Sequence, residues 1–229
     1  MNKEYLFEMH AHSSEVSACA KVPVEEIADV YPKAGYDGII LTNHVNGSTF
    51  KHVGLEDAPW SEKAEFFLSA YYRLKELCEG KMTVLLGAEI SFKGSWNDYL
   101  VYGITEDFIR NMGDVRKMSY EDFSKIAHEN GFLFLQAHPF RVDMMISDPD
   151  YLDGYEIFNG NPRHNSSNHI AKRWAEDHGK TIVTSGSDFH EHGDSITGGI
   201  YFANPINNND DLLRELRAGN YRLKTGKDT

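Results

Sequence analysis

Cysteine is scarce in this 229-residue chain, with only Cys19 and Cys78. Two residues cannot build a disulfide framework. Long apolar runs are missing too: nothing approaches the ~18 consecutive apolar residues of a membrane span. No apolar stretch follows Asn2, Lys3 and Glu4, as a secretory signal requires. The expectation is a cytoplasmic protein with no membrane partner. Basic residues are outnumbered, 23 Lys and Arg against 35 Asp and Glu, for a net charge of -12. A surface that wraps nucleic acid needs a basic face, so the charge balance argues against that class. Small anionic substrates are not, because a metal centre can reverse the local field. No repeat, low-complexity tract or linker divides the chain, so residues 1–229 are expected to form one domain. Nothing specifies an oligomeric state.

What is present is an alternation. Strand-like segments fall at 5–12, 38–44, 82–92, 98–104, 132–138, 154–159, 181–188 and 199–203. Between several of them run amphipathic stripes: Ala64, Phe67, Leu68, Tyr71, Leu74 and Leu77, then Phe123, Ile126 and Ala127 after a candidate N-cap at Ser119. Ile170, Ala171, Trp174 and Ala175 form another stripe, and Leu212, Leu213 and Leu216 a last one. Gly35, Gly80, Gly131, Gly179 and Gly219 stand where helices should stop. Strands alternating with helices predict a mainly parallel sheet, and this many strands favour a closed α/β barrel. The stretches 43–61 and 141–153 lack periodicity and read as loops, where sites often lie.

The strand ends share a chemistry. The first closes on His10-Ala11-His12, and on a strand residues two apart point to one face. The second ends at His44, the third at Glu89, the fifth at His138, and the seventh runs into Asp188 and His190. Asp98 opens the fourth segment; an antiparallel strand there returns it to the same end of the sheet. In a βα barrel the strand C-termini meet at one mouth. Imidazole and carboxylate groups gathered there are metal ligands, and such mixed sets accept Zn, Mn or Fe. Scattered packing roles do not account for five of eleven histidines falling on strand ends.

The motif order HxH, TxH, GxE, AHP and SDxH, from His10 to His190, resembles the PHP (polymerase and histidinol phosphatase) family. The resemblance implies a distorted (β/α)7 barrel with two or three divalent ions at the C-terminal mouth of its strands. His10, His12, Glu89 and Asp188 would hold the first ion. Glu89 would bridge to a second, also bound by His138, and His44 and His190 would hold a third. The chain departs from the family twice. Ser17 or Ala18 stands where a further His or Asp is usual, with Glu15 as a substitute ligand, and Asp98 replaces a His. The implied activity is hydrolysis of a small phosphomonoester by a metal-bridged hydroxide, with a phosphorylated metabolite as partner.

Charge arithmetic agrees. Glu15, Glu89, Asp98 and Asp188 repel one another without cations, and three divalent ions invert the field toward one that suits phosphate. Arg163 and His164, in the loop after the sixth strand, are candidates for phosphate binding and for substrate contact or general acid chemistry; Arg141 is a second phosphate candidate. As plain loop residues they would be solvated. His192 is at most an accessory group. His52, His128, His169 and His178 read as surface or packing residues, Cys19 and Cys78 as packed thiols, and Trp60, Trp96 and Trp174 as packing. Two other readings compete: hydrolysis of a non-phosphate bond by an amidohydrolase-like centre, and a non-catalytic metal-binding regulatory module. A carboxylated lysine is expected in the former, and Glu89 stands in its place. Eroded ligands are expected in the latter, and they are retained.

Overall fold

In the computed structural model, which describes residues 3–226, ten strands form one mixed sheet. They are β1 (Tyr5–Ala11), β2 (Gly38–Leu41), β3 (His44–Val45), β4 (Thr83–Ser91), β5 (Asp98–Tyr102), β6 (Leu133–Gln136), β7 (Gly154–Asn159), β8 (Ile182–Gly186), β9 (Gly198–Phe202) and β10 (Tyr221–Thr225). The helices are α1 (Val24–Lys33), α2 (Trp60–Leu77), α3 (Glu106–Asn111), α4 (Tyr120–Glu129), α5 (Asn168–Asp177) and α6 (Asn209–Ala218). Their stops are those the sequence marks: Gly35, Gly80, Gly131, Gly179 and Gly219 all have positive φ just past a helix, a conformation glycine adopts without a Cβ penalty. Ser119 caps α4 by accepting from the Asp122 N–H at 3.2 Å. The short α3 and the last strand, β10, carry too little periodicity to be read from sequence.

The strand order is β10-β9-β1-β2-β4-β5-β6-β7-β8, with β3 beside β4. The sheet then bends back on itself. Just past β8, the Asp188 N–H donates to the His10 carbonyl at 2.8 Å and the His12 N–H to the Phe189 carbonyl at 3.1 Å. Strands β1, β2, β4, β5, β6, β7 and β8 therefore close into a distorted barrel, the architecture expected. Strands β9 and β10 form an antiparallel ribbon outside that cycle, on the far edge of β1. Within the barrel β5 alone runs against its neighbours, antiparallel to both β4 and β6.

Two apolar layers follow from strand alternation. Ile39, Leu41, Val84, Leu86, Tyr99, Val101 and Phe134 face outward and meet the buried stripes of α1, α2, α4 and α5. Met9, Ile40, Leu85, Leu100, Tyr102, Leu133 and Leu135 face inward, with Leu212, Leu213 and Leu216 of α6 packed onto the same cluster. Cys78 is fully buried in the outer layer.

The inner layer stops short of the mouth, and three backbone irregularities decide what replaces it. The register of β1 on β2 shifts between Glu8 and Ala11. Met9 faces inward, so strict alternation sends His10 outward; the bulge turns both His10 and His12 inward instead. On β6, Leu133, Leu135 and Ala137 face inward, so His138 should face outward, but its φ of 27° redirects it. Asp188 has a φ of 50°. Non-glycine residues in this left-handed region cost about 1–3 kcal/mol each and cluster at functional sites.

Candidate metal centre

Glu89 sits at the centre of the mouth with its carboxylate fully shared. Its Oε2 lies 3.2 Å from His10 Nε2, 3.2 Å from His12 Nε2 and 3.1 Å from His44 Nδ1. Its Oε1 lies 3.0 Å from His138 Nε2. Asp188 Oδ1 is 3.5 Å from both His10 Nε2 and His12 Nε2, and 3.2 Å from His190 Nδ1. Asp98 approaches from the antiparallel β5 and groups with His44 and Glu89. Ligand atoms lie within 4.8 Å of one another in each of four sets: His12, His44 and His190; His10, His138 and Asp188; His10, His12 and Glu89; His44, Glu89 and Asp98.

The donor set fits divalent cations on its own chemistry. His10 Nε2, His12 Nε2, His44 Nδ1, His138 Nδ1 and Glu89 Oε2 are buried with no hydrogen-bond partner. Buried polar atoms are normally paired, and His10 Nε2, His12 Nε2 and His44 Nδ1 converge on Glu89 Oε2. The ring tautomers agree. His10 Nδ1 is tied to Glu156 Oε1 at 2.9 Å, which leaves Nε2 as its lone-pair nitrogen. Ser17 Oγ donates to Asn43 Oδ1 at 3.0 Å and lies 3.3 Å from His12 Nδ1, so His12 Nδ1 carries a proton and Nε2 is again free. Ser17 is thus a support beneath the site, not a ligand.

Electrostatics point the same way. Burial pushes Glu89 and Asp188 toward the neutral form, but the surrounding histidines overcome it and hold both carboxyls well below their usual range. Burial pushes His44 down to about 3 against the pull of Glu89. Burial also lowers His12, with His190 acting in the same direction. Burial acts the same way on His10 and His190, but the carboxylates outweigh it: Glu156, Glu89 and Asp188 hold His10 well above its usual range and Asp188 lifts His190 to about 10, so cation binding at these two displaces a proton. Burial, and then the charge of Glu89, push Asp98 up to about 6. A carboxylate penalised in this way gains from an adjacent cation.

Behind these groups lies a layer the sequence does not disclose. Glu156 of β7 spans two candidate ligands: Oε1 meets His10 Nδ1, and Oε2 accepts from the His138 N–H at 3.0 Å. Asn159 Nδ2 donates to Glu156 Oε2 at 2.9 Å and to Asp188 Oδ2 at 3.1 Å. Glu8 fills the β1 bulge: its Oε1 accepts from the Met9, His10 and Ser187 N–H groups, each at 2.9 Å, and its Oε2 accepts from Tyr31 Oη at 3.1 Å. Burial pushes Glu8 up to about 7. Both glutamates sit inside apolar strands, and in the sequence that position is the only sign of them.

The remaining sequence candidates fall as follows. Arg141 reaches the site and pairs with Asp188 through Nη2. Arg163 and His164 line the same cavity, of about 320 Å³, with Asp98, Asn161 and Cys19. Arg163 is paired with Asp194 at the rim. Burial, and then Arg141, lower the pKa of His164. Glu15 accepts from the Val24 N–H at 2.9 Å at the start of α1 and belongs to none of the four sets. His192 is exposed and pairs with Glu26 at 2.8 Å. Two packing expectations are corrected. Trp96 is 80% exposed, on the turn between the antiparallel strands β4 and β5. Cys19 is exposed, because its turn ends at the cavity rim. A larger groove of about 820 Å³ beside α2 and the start of β4 holds none of the four sets. Among the described residues, no helix is long and apolar enough to cross a membrane.

No protein-family profile and no curated protein matches the chain. Solved structures do. A two-domain protein from Bacteroides vulgatus, described as containing a predicted PHP-like metal-dependent phosphoesterase, aligns with 98% of this chain at a TM-score of 0.70 and 16% identity. The chain spans 66% of that protein's length. A candidate metal-dependent phosphoesterase from Bifidobacterium adolescentis aligns over 100% of this chain and 99% of its own, with a TM-score of 0.58 and 14% identity. A lesion-specific endonuclease from Pyrococcus furiosus aligns over 96% of this chain and 58% of its own, with a TM-score of 0.57 and 12% identity. The likeness is one of fold, and that fold is the one the motif order implies.

Proposed function

We propose that the protein is a PHP-family hydrolase of phosphoric esters that acts on a small phosphomonoester. One observation carries the reading: five imidazoles and three carboxylates, from β1, β3, β4 and β5 and from the segments just after β1, β6 and β8, converge on one mouth, with buried ring nitrogens that have no partner. In this reading His10, His12, Glu89 and Asp188 hold one divalent ion, and Glu89, His138 and Asp98 a second. His44 and His190 hold a third. Such ions, when bound, supply an acidified water as nucleophile and offset charge on the phosphoryl oxygens.

The chain's own residues do the rest. Glu89 offers separate oxygens to separate histidines, as a bridging carboxylate must. Glu156 fixes the orientation of His10, and Asn159 that of Asp188. Arg141 is held over the mouth by Asp188 and by Asn159 Oδ1 at 3.2 Å. Its Nε is buried and unpartnered, which leaves a donor for a phosphoryl oxygen. Arg163 can swing from Asp194 to the outer part of the substrate. A cavity of about 320 Å³ lies at the low end of ligand-pocket sizes. That size and the net charge of -12 favour a single small metabolite over a nucleic-acid duplex.

The test is a panel of phosphorylated metabolites, a phosphodiester and an abasic-site duplex, each with Zn, Mn and Fe. Metal-dependent phosphate release from at least one monoester is expected. Cleavage confined to the duplex would replace the small-substrate reading. No metal-dependent hydrolysis of any phosphoric ester would sink the reading altogether.

A further inference from the structure

Strand β4 has a neighbour on each edge near the mouth and only one at its other end. Thr83, Val84, Leu85 and Leu86 pair with β2. On the opposite edge β5 covers β4 only from Gly87 to Ser91. The Thr83 N–H donates to the Asp37 carbonyl at 2.9 Å, on the β2 side. Successive residues of a strand aim their backbone groups to alternate edges. Val84 therefore turns its N–H and C=O, and Leu86 its N–H, toward the edge where no strand lies. The barrel wall has a gap there.

The groove of about 820 Å³ lies along this gap, with residues 83–86 on one side and residues 207–210 on the other. A second groove, of about 350 Å³, shares Tyr71, Leu86 and Asn209 with it, so the two form one channel. Asn209 stands at the junction. Its Nδ2 donates to the Ile104 carbonyl at 3.0 Å, while its Oδ1 is buried with no partner. Buried acceptors are normally paired, and this one sits beside unpaired strand donors and acceptors. The larger groove is also acidic. Glu76, Glu79 and Asp210 line it against a single cation, Lys75, whose Nζ lies 3.2 Å from Tyr71 Oη. Glu76 is tied to Arg73 at 2.8 Å, but Glu79 and Asp210 belong to no ion pair among the described residues.

We propose that this channel docks an extended basic segment of a partner protein, which adds a strand to the open edge of β4. An extended chain offers N–H and C=O groups at the spacing Val84 and Leu86 present, and main-chain pairing of this kind is a recurrent mode of peptide recognition. One donor of the segment meets Asn209 Oδ1, and its lysine or arginine side chains answer Glu79 and Asp210. A net charge of -12 steers such a segment toward the protein. The site lies toward the start of β4, away from Glu89, and is independent of the metal-centre reading.

The probe is a capped peptide of alternating lysine and valine. Two controls accompany it: the same peptide methylated at every backbone nitrogen, and one with glutamate in place of lysine. Binding to the full chain is followed by calorimetry and by amide hydrogen exchange. The lysine peptide should bind once per chain and slow exchange at the Val84 and Leu86 amides. The methylated and glutamate peptides should not bind. A variant carrying Glu79→Lys and Asp210→Lys should keep its circular dichroism and bind the lysine peptide about tenfold more weakly at low ionic strength. Failure of the lysine peptide to bind overturns the proposal. Equal binding of the methylated peptide overturns it too, by reducing the contact to charge alone. Undiminished affinity in the variant, or protection confined to other strands, places the peptide elsewhere and is equally fatal. Each of these leaves the metal centre untouched.

Discussion

Glu156 Oε1 lies 2.9 Å from His10 Nδ1, and both side chains are 0% exposed. The pair joins β7 to β1 across the barrel interior, and the other oxygen of Glu156 holds the His138 N–H. A carboxylate behind a ligating histidine fixes its tautomer and raises its basicity. Glu156→Gln keeps the volume and removes the charge. Metal affinity should fall about 10- to 100-fold with the fold intact, as read by chelator competition and circular dichroism. Unchanged affinity would show that the contact only packs.

Glu89→Gln should abolish nearly all hydrolysis, lowering turnover more than about a hundredfold, while the barrel persists. An amide cannot bridge two cations as a carboxylate does. Turnover close to wild type at full metal occupancy would remove Glu89 from the bridging role.

Asp98 distinguishes a ligand from a strand opener. Ser91 Oγ donates to its Oδ1 at 2.5 Å, and its group includes His44 and Glu89. Asp98→Ala should cost one ion per chain and most activity. Asp98→His should keep the ion and shift the preferred metal toward zinc, since carboxylate favours harder ions. Metal content and turnover untouched by Asp98→Ala would require another group to complete that position.

Chelation should lower the melting temperature. Ions that bind only the folded state stabilise it by mass action, about 2.7 kcal/mol at a hundredfold excess over Kd. Their removal also leaves Asp98, which burial and the charge of Glu89 push up to about 6, without a cation beside it. Calorimetry before and after verified metal removal checks this; an unchanged transition would argue against the clustering.

The seam between β8 and β9 should tolerate no side chain. A Cβ on Gly198 would sit 2.0 Å from the Gly186 carbonyl carbon. Gly198→Ala should destabilise the protein by about 3 kcal/mol, the upper end for overpacking, in denaturant titration. A variant as stable as wild type would mean that the two strands separate easily.

The barrel and the clustering of candidate ligands at its strand ends were legible because both are written in short-range patterns: apolar alternation, glycine stops, and histidines and carboxylates at strand ends. The direction of β5 followed from Asp98 needing to reach the mouth. What could not be read depends on closure. The bulge that turns His10 inward exists because β1 must pair with β2 on one side and with the end of β8 on the other. Glu8 and Glu156 look like interruptions of apolar strands until the barrel brings them to the backbone N–H groups and imidazole they serve. Glu15 shows the same dependence on closure: its spacing from His10 suits a ligand, and in the fold its Oε1 accepts from the Val24 N–H at the start of α1. Cys19 and Trp96 were misjudged because apolar character says nothing about which side of a turn faces solvent.

The β9–β10 ribbon sets an order of events during synthesis. Every candidate ligand lies at or before His190, but the chain that seals β8 against β9 comes only with residues 198–225. Until then Gly186 and Ser187 lack the strand that covers them, and Asp188 hangs from an unsealed edge. A nascent chain can thus carry its full complement of imidazoles and carboxylates without the frame that aims them. Ordering of the mouth then waits on residues 198–225, so the β9–β10 ribbon helps aim the candidate ligands although it contributes none of them.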